Sequence, residues 1–187
     1  MEINEVKIIK KCKQGRLEEF GLLYDKYIKK IYDFIYYKTH HKETAEDLCS
    51  KVFLKAVDKI RGFNLEKGTF QAWIYAIARN TVIDYYRTQK SEMDIEDIWD
   101  LAGNEDIERN LDNKIKLEKI SKYLKNIKPA QRDIIIMRVW QSLSYSEIAE
   151  ILNKSEASCK MAYSRSINRL RQEMPFVLYI TFLLNCY

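Results

Sequence analysis

The residues best placed to bind another molecule form two consecutive helical patterns near the C-terminus. Ser144 is followed three positions later by Glu147, the spacing of a capping box at a helix start. Asn153 falls where the chain must turn, because asparagine tolerates the left-handed backbone conformation. Ser155 can cap a second helix directly afterwards. This order is typical of a helix-turn-helix, whose second helix enters the major groove of duplex DNA.

The second helix, Glu156 to about Gln172, is predicted to have two distinct faces. Its inner face would contain Cys159, Tyr163, Ser166 or Ile167, and Leu170. Early residues of its outer face would reach base edges, and later arginines, including Arg171, would reach phosphates. The candidate duplex contacts are Ser155, Glu156, Ser158, Lys160, Met161, Ser164, Arg165 and Arg169. The alternative is an ordinary corner between two helices with a basic, solvated surface.

A second group of candidate binding residues lies on the third N-terminal helix, whose apolar stripe runs from Phe70 to Tyr85. The face opposite its apolar stripe is predicted to expose Tyr75, Arg79, Asn80, Ile83, Tyr86 and Arg87, and the preceding loop adds Phe63, Lys67 and Phe70. Aromatic rings stack on unpaired bases and cations follow phosphates, so this mixture suits single-stranded nucleic acid. The alternative is that several of these rings belong to the core.

The sequence gives little support for catalysis or for a metal site. Cys12, Cys49, Cys159 and Cys186 are scattered, and His40 and His41 are adjacent, so neither set has metal-ligand spacing. We find no phosphate-binding loop and no recognisable catalytic set of serine, histidine and aspartate. We therefore expect no enzyme, no metal and no cofactor.

The elements that must position these residues are helical. The 187 residues include only 5 glycines and 2 prolines, which argues against turn-rich β folds. Apolar residues recur at helical spacing in three N-terminal segments. The first stripe runs from Phe20 to Ile35 and includes Tyr24, the second runs from Ala45 to Ile60, and the third runs from Phe70 to Tyr85. We predict an all-α fold.

Charge divides the chain into two small helical domains joined by an acidic linker. The net charge is +5, yet residues 91–112 contain nine carboxylates and one arginine. We predict domains over residues 1–90 and 113–174, a linker over 91–112, and an apolar tail over 175–187. Basic blocks flanking an acidic one suggest two modules that face a polyanion. Ordinary charged surfaces around a solvated linker are the alternative.

The tail and the N-terminus bear on location. Residues 175–187 are apolar but shorter than a membrane span, so we expect them to pack on the C-terminal domain. Binding to a membrane surface or a protein partner is the alternative. The N-terminus has no signal-peptide core, which makes the cytoplasm the expected location.

Several motifs in order give the chain a family resemblance. Residues 45–54 (AEDLCSKVFL), 68–80 (GTFQAWIYAIARN) and 84–87 (DYYR) resemble region 2 of bacterial sigma factors. The helix-turn-helix after the acidic linker is similar to region 4. The chain therefore resembles an extracytoplasmic-function (ECF) sigma factor over about residues 15–172.

The resemblance implies a subunit that directs RNA polymerase core to specific promoters. Asp47, Leu48, Lys51 and Phe53 would then contact the clamp helices of the largest core subunit. The Phe63–Arg87 segment would melt the −10 element, with Asn80 near the trapped base and Trp73 packing the domain, and the helix from Glu156 would read the −35 element. The acidic linker would thread toward the RNA exit path. An anti-sigma factor is a further candidate partner.

Two departures from the family pattern limit what can be carried over. Ser50 replaces the usual glutamine after the Asp-Leu pair, and Lys160 alone remains of a basic triplet in the recognition helix. The −35 preference should therefore differ from the common one. A stand-alone helix-turn-helix regulator that binds duplex DNA is the alternative function, but it leaves the aromatic and basic N-terminal helix unexplained.

Overall fold

The computed structural model describes residues 4–39, 41–89, 123–124, 127–176 and 179. Their longer elements are helices, which confirms the predicted all-α fold: α1 (Glu5–Lys13), α2 (Phe20–Thr39), α3 (Lys42–Lys59), α4 (Phe70–Gln89), α5 (Pro129–Val139), α6 (Tyr145–Leu152) and α7 (Glu156–Glu173). Short 3₁₀ turns span Leu17–Glu19 and Ile60–Gly62. The predicted linker lies outside the described residues, and so do both domain boundaries that flank it.

Helices α1 to α4 form the N-terminal bundle. The predicted stripe of α2 is buried at Phe20, Leu23, Tyr27, Ile31, Phe34 and Ile35. Tyr24 departs from it: the residue is exposed, and its ring meets the Phe53 ring edge-on at 4.8 Å between centroids. Helix α1 was not predicted, because only Ile8, Ile9 and Cys12 of its nine residues are buried and so short a pattern is weak.

Helices α5 to α7 form the C-terminal half, and their ends follow the predicted cap chemistry. Pro129 occupies the first turn of α5, where its missing N–H leaves no hydrogen bond unmade. Ser144 and Glu147 form the reciprocal capping box at α6. Asn153 adopts the left-handed conformation, with φ 51° and ψ 52°, and the Ser155 side chain caps α7. The helix-turn-helix prediction is therefore confirmed at the level of local structure.

The two halves pack against each other, so that helices of both contribute to one large apolar cluster. Ile134, Met137, Leu143 and Ile148 of the C-terminal half join the buried residues of α1 to α4. A smaller cluster inside the C-terminal half contains Leu124, Ile127, Ile135, Val139, Leu170 and Met174. One face of α4 is consequently covered by α6.

The structure corrects two sequence expectations about exposure on α4. Tyr75 and Tyr86 were predicted to face solvent, yet Tyr75 is fully buried and Tyr86 is 7% exposed. Tyr75 is covered because the C-terminal half lies over that face of α4, and its hydroxyl donates to Gln141 Oε1 at 2.6 Å. Tyr86 is buried within the N-terminal bundle, where its hydroxyl donates to the backbone oxygen of Lys38.

The described part of the tail divides between packing and exposure. Tyr179 is half-buried against the smaller cluster, as predicted, whereas Phe176 is 76% exposed and does not pack as predicted. The remaining tail residues that carried the prediction lie outside the described residues. Along the part of the chain that the structure describes, every helix is too short or too polar to cross a bilayer.

Candidate nucleic-acid and polymerase interfaces

The outer face of α7 is open to solvent. Ser155, Glu156, Lys160, Met161, Ser164, Arg165 and Arg169 are exposed, and Ser158 is half-buried. The predicted inner face is buried at Cys159, Ser166 and Leu170, which anchors the helix on α5 and α6. The cap and the buried face therefore hold one side of α7 outward over its length.

Two basic side chains of this face have acidic partners on the same helix. Lys160 Nζ lies 2.7 Å from Glu156 Oε1, and Arg169 Nε lies 2.7 Å from Glu173 Oε1. Exposed pairs of this kind contribute little to stability, so both cations can be transferred to phosphate at small cost. Met161, 54% exposed, adds an apolar surface that can meet a thymine methyl group.

The exposed face of α3 carries half of the residues predicted to contact polymerase. Asp47 and Lys51 are exposed and form an ion pair of 2.6 Å across one helical turn. Leu48 and Phe53 are only 1% and 5% exposed, so they pack inside the bundle. Leu54, one position after Phe53, is 70% exposed and was missed by the sequence reasoning. An apolar side chain beside charged ones suits a protein interface.

The predicted single-strand residues fall into an exposed and a buried group. Lys67, Asn80 and Arg87 are exposed and Ile83 is half-buried. Phe63, Phe70 and Tyr86 are buried. The Phe63 ring centroid lies 4.9 Å from that of Trp73 and 6.0 Å from that of Phe70, so these rings form one aromatic cluster at the start of α4. Their side chains shape this surface from beneath.

Arg79 takes part in an ion network that the sequence did not reveal. Asp133 of α5 accepts hydrogen bonds from Lys38 Nζ at 2.5 Å and from Arg79 Nε at 3.1 Å. The Lys38 and Asp133 side chains are only 3% and 5% exposed. Burial lowers the pKa of Lys38, although the Asp133 carboxylate acts in the opposite direction. No sequence signal links Lys38 to Asp133, because 95 positions separate them.

Acidic residues of α6 meet the N-terminal end of α4. Thr69, whose hydroxyl caps α4 by accepting from the Ala72 amide, also donates to Glu147 Oε1 at 2.9 Å. Gly68 contacts the Glu150 carboxylate so closely that a Cβ at this position would collide with it. Burial, followed by repulsion from Glu147, raises the pKa of Glu150. Both carboxylates therefore lie beside the loop that was predicted to bind a strand.

The cysteines and acidic residues of the described ranges do not form a metal site. No group of three or more metal-ligating side chains occurs in those ranges. Cys12, Cys49 and Cys159 are buried free thiols, and burial raises the pKa of Cys49 to about 12. Buried thiols of raised pKa are poor nucleophiles and poor ligands.

Two family models match the chain in the same order as the predicted domains. The model described as Sigma-70 region 2 matches residues 23–92, and the model described as Sigma-70, region 4 matches residues 117–170. The first match contains α2, α3 and α4 almost entirely, and the second contains α5, α6 and most of α7.

Similar proteins carry matching descriptions. The RNA polymerase sigma factor YlaC of Bacillus subtilis is 31% identical over 81% of this chain and 90% of its own length. The ECF RNA polymerase sigma factor BldN of Streptomyces coelicolor is 31% identical over 91% of this chain, and the chain spans 66% of that protein's length.

Solved structures show the same fold. CnrH, in complex with the cytosolic domain of CnrY, gives a TM-score of 0.69 at 16% identity over 89% of this chain and 94% of its own. RpoE of Bartonella quintana, in complex with the anti-sigma factor NepR, gives 0.66 at 23% identity over 83% of this chain and 96% of its own. At these identities the likeness concerns the fold alone.

Proposed function

Because this chain belongs to the extracytoplasmic-function sigma factors and so directs RNA polymerase core to specific promoters, we propose which of its surfaces contact polymerase, the −10 element and the −35 element. The observation that carries the assignment is the order of the two matches, region 2 on the N-terminal bundle and region 4 on the capped helix-turn-helix. A stand-alone duplex-binding regulator would have no use for the N-terminal bundle.

The exposed face of α3 is the proposed docking surface for the polymerase clamp helices. Asp47 and Lys51 supply charges and Leu54 supplies apolar area. Leu48 and Phe53 are covered by the bundle, so we assign them the support of this face from below. Ser50 is exposed and its hydroxyl donates to the Glu46 backbone oxygen at 3.0 Å, so it offers less reach than a glutamine would.

The outer face of α7 is the proposed reader of the −35 element. Ser155 to Met161 would approach base edges, because they lie in the first turns of the helix. Arg165 and Arg169, farther along, would hold phosphates and fix the register. Lys160 stands alone where the family has three basic residues, so contacts of Met161 with thymine methyl groups would shape the sequence preference.

The loop before α4 and the exposed side of α4 are the proposed −10 surface. Lys67, Arg79 and Arg87 would follow the backbone of the opened strand, and Asn80 would hydrogen-bond a base that has left the stack. Removing a base from the stack costs a few kcal/mol, which these contacts would offset. Phe63, Phe70 and Tyr86 would act through the shape of the surface, because they are buried.

Three further properties follow from this assignment: the absence of a catalytic role, the location and the regulation. Phosphodiester synthesis belongs to the polymerase, so the proposed role needs no catalytic group or cofactor in this chain. The protein would act in the cytoplasm, where polymerase and promoters meet. We extend to it the family's regulation by an anti-sigma factor.

Run-off transcription tests the proposal. Core polymerase would be supplied with genomic fragments, with and without the purified chain, and transcript 5′ ends would be mapped. We expect a small set of new start sites that require the chain. Identical start sites in both reactions would overturn the proposal.

A further inference from the structure

Five exposed cations lie where the C-terminal end of α1 meets the turn after α3. They are Lys10 and Lys13 of α1, Arg16 just after it, Lys59 at the end of α3, and Arg61 in the following 3₁₀ turn. These five residues are called the basic edge below. The surfaces proposed above use none of them. Lys10, Lys13 and Arg16 also precede residue 23, where the region 2 match begins, so the family match does not cover them.

The basic edge is joined to the loop before α4 by direct contacts. Lys13 Nζ donates a hydrogen bond to the backbone oxygen of Phe63 at 2.8 Å, and Phe63 is the first residue of that loop. Gly15 adopts φ 97°, and a Cβ there would lie 3.9 Å from a terminal nitrogen of Arg61. The end of α1 therefore packs beside the turn after α3, which brings the cations of both segments together.

The charges of the basic edge are not neutralised by acidic partners. Lys11 of the same helix pairs with Glu19, 2.5 Å away. Among the residues that the structure describes, no ion pair engages a member of the basic edge. Its cations also outnumber the exposed carboxylates that adjoin them along the chain, which are Glu18, Asp58 and Glu66. The surface is therefore positive and can accept an external anion.

The helix dipoles account for only part of this cluster. A helix C-terminus carries partial negative charge, which Lys10 and Lys13 offset in the last turn of α1 and Lys59 offsets in the last turn of α3. Arg16 and Arg61 lie beyond the two helices, so this explanation does not include them. An anionic ligand that spans the surface accounts for all five cations.

The chemistry of the basic edge indicates phosphates rather than bases as this ligand. Lysine and arginine follow a nucleic-acid backbone, whereas stacking on bases needs exposed aromatic rings. The rings of Phe63 and Phe70, which flank the adjoining loop, are buried. Binding at the basic edge should therefore depend on salt and be independent of base identity.

The position of the basic edge determines which nucleotides it can hold. It adjoins the loop at the start of α4, whereas Arg87 lies in the last turn of this helix, about 25 Å away along the axis. Upstream of the −10 element the DNA is a duplex that α7 is proposed to read, so unpaired nucleotides continue only downstream. An unpaired strand that passes Lys67 and reaches the basic edge is therefore the downstream part of the separated strand.

We propose that the basic edge binds the phosphates of the unpaired strand immediately downstream of the −10 element. This inference rests on the proposed function, and it extends the single-strand site from α4 onto α1 and the turn after α3. A strand that is held at both places re-pairs less readily with its complement. The basic edge would therefore also prolong the opened state of the promoter.

The test uses holoenzyme, formed from core polymerase and the full chain, and labelled single-stranded DNA from a promoter mapped by run-off transcription. One oligonucleotide covers the −10 element alone, a second adds eight nucleotides downstream, and a third adds eight nucleotides upstream. Fluorescence anisotropy at several salt concentrations measures each affinity. We expect the downstream extension to tighten binding at least fivefold and the upstream extension to change it by less than twofold.

The double variant Lys10→Gln/Lys59→Gln removes two charges and leaves the Lys13–Phe63 hydrogen bond and the Arg61–Gly15 contact in place. It should lose at least threefold of the gain from the downstream extension. The slope of log affinity against log salt should become shallower by about 1.4, because each lost phosphate contact on a single strand contributes about 0.7. Binding of the unextended oligonucleotide should change by less than twofold.

Three controls accompany this variant. Lys29→Gln/Lys30→Gln removes the same two charges from exposed positions on α2 and should leave every affinity unchanged. A downstream extension of abasic nucleotides keeps the phosphates without the bases, and it should tighten binding as much as the ordinary extension does. Competition with the unsubstituted chain measures affinity for core polymerase, which should be the same for both variants.

The inference is overturned if Lys10→Gln/Lys59→Gln keeps the full gain and the full salt slope, or weakens the unextended oligonucleotide equally. Weaker binding to core polymerase would instead identify a polymerase surface, and tighter binding of a paired extension would identify a duplex surface; either result also overturns it. New start sites in run-off transcription together with any of these results would remove the role of the basic edge and leave the sigma function standing. Absence of new start sites would remove both.

Discussion

Asn80 and Arg165 are each exposed on a helix that we propose to contact DNA, Asn80 on α4 and Arg165 on α7. Asn80 can donate and accept, as reading a base edge requires, whereas Arg165 supplies a charge that fits phosphate. Both were named from the sequence. Arg79 was also named, but its engagement by Asp133 could not be predicted, because no local pattern reports a contact across 54 positions.

Substituting each residue with alanine should affect a different step. Asn80→Ala removes one base contact and should slow strand opening by about tenfold, equivalent to ~1.4 kcal/mol. Arg165→Ala should weaken upstream duplex binding by about 1 kcal/mol and make it less sensitive to salt. Abortive initiation kinetics separate opening from binding. Equal effects of both variants on the opening rate would contradict the division of labour.

The ends of the helices could be predicted from the sequence, whereas their buried and exposed faces could be predicted only in part. The capping box of α6, the left-handed Asn153 and the cap of α7 follow from local chemistry, and all three are present. The faces of α4 depend on what packs against them. Tyr75 was predicted to face solvent because helical periodicity identifies one apolar face of a helix. It does not show whether another element covers the opposite face, as happens here.

The α6 cap gives a test of local stability. Ser144→Ala removes an acceptor for the Glu147 amide and should lower the free energy of unfolding by about 1 kcal/mol. Ser146→Ala is the matched control, because Ser146 is exposed within the same helix and alanine favours helix there. Urea denaturation followed by circular dichroism measures both. A Ser144→Ala variant as stable as the control would show that the cap contributes nothing.

The sequence indicated two helical domains and their order along the chain. It did not indicate that the two domains pack against each other. Lys38, Asp133 and Gln141 are polar residues of types that usually lie at the surface. Each is at most 5% exposed because the other half of the chain covers it. Burial of this kind arises only when distant surfaces meet. The packing of the two halves against each other is therefore a property of the folded chain that periodicity and motifs do not contain.

The three cysteines that the structure describes lie in this packed interior. Burial raises the pKa of Cys49 to about 12 and also raises those of Cys12 and Cys159 above the ordinary value of 9.0. In a Cys186→Ser variant we expect no reaction with a disulfide reagent at pH 8 until the chain is unfolded.

The same shifts give a pH dependence. Because the thiol pKa values are raised in the folded state, their contribution to stability is present below about pH 9 and is lost as pH rises above it. Urea denaturation of the Cys186→Ser variant should show lower stability at pH 10 than at pH 8, and the buried hydroxyls of Tyr27, Tyr75 and Tyr86, whose pKa values are also raised, contribute in the same direction. Rapid modification of all three thiols in the folded chain at pH 8 would contradict the burial on which both expectations rest.

The central claim is that this chain lets polymerase open promoter DNA, with one half on the duplex and the other on the separated strand. Permanganate footprinting measures this directly, because it oxidises thymines that have lost their stacking. On a promoter fragment mapped by run-off transcription, we predict reactive thymines just upstream of the start site only when core polymerase and the chain are both present. Thymines that stay unreactive with both present, or that react equally with core alone, would contradict the account.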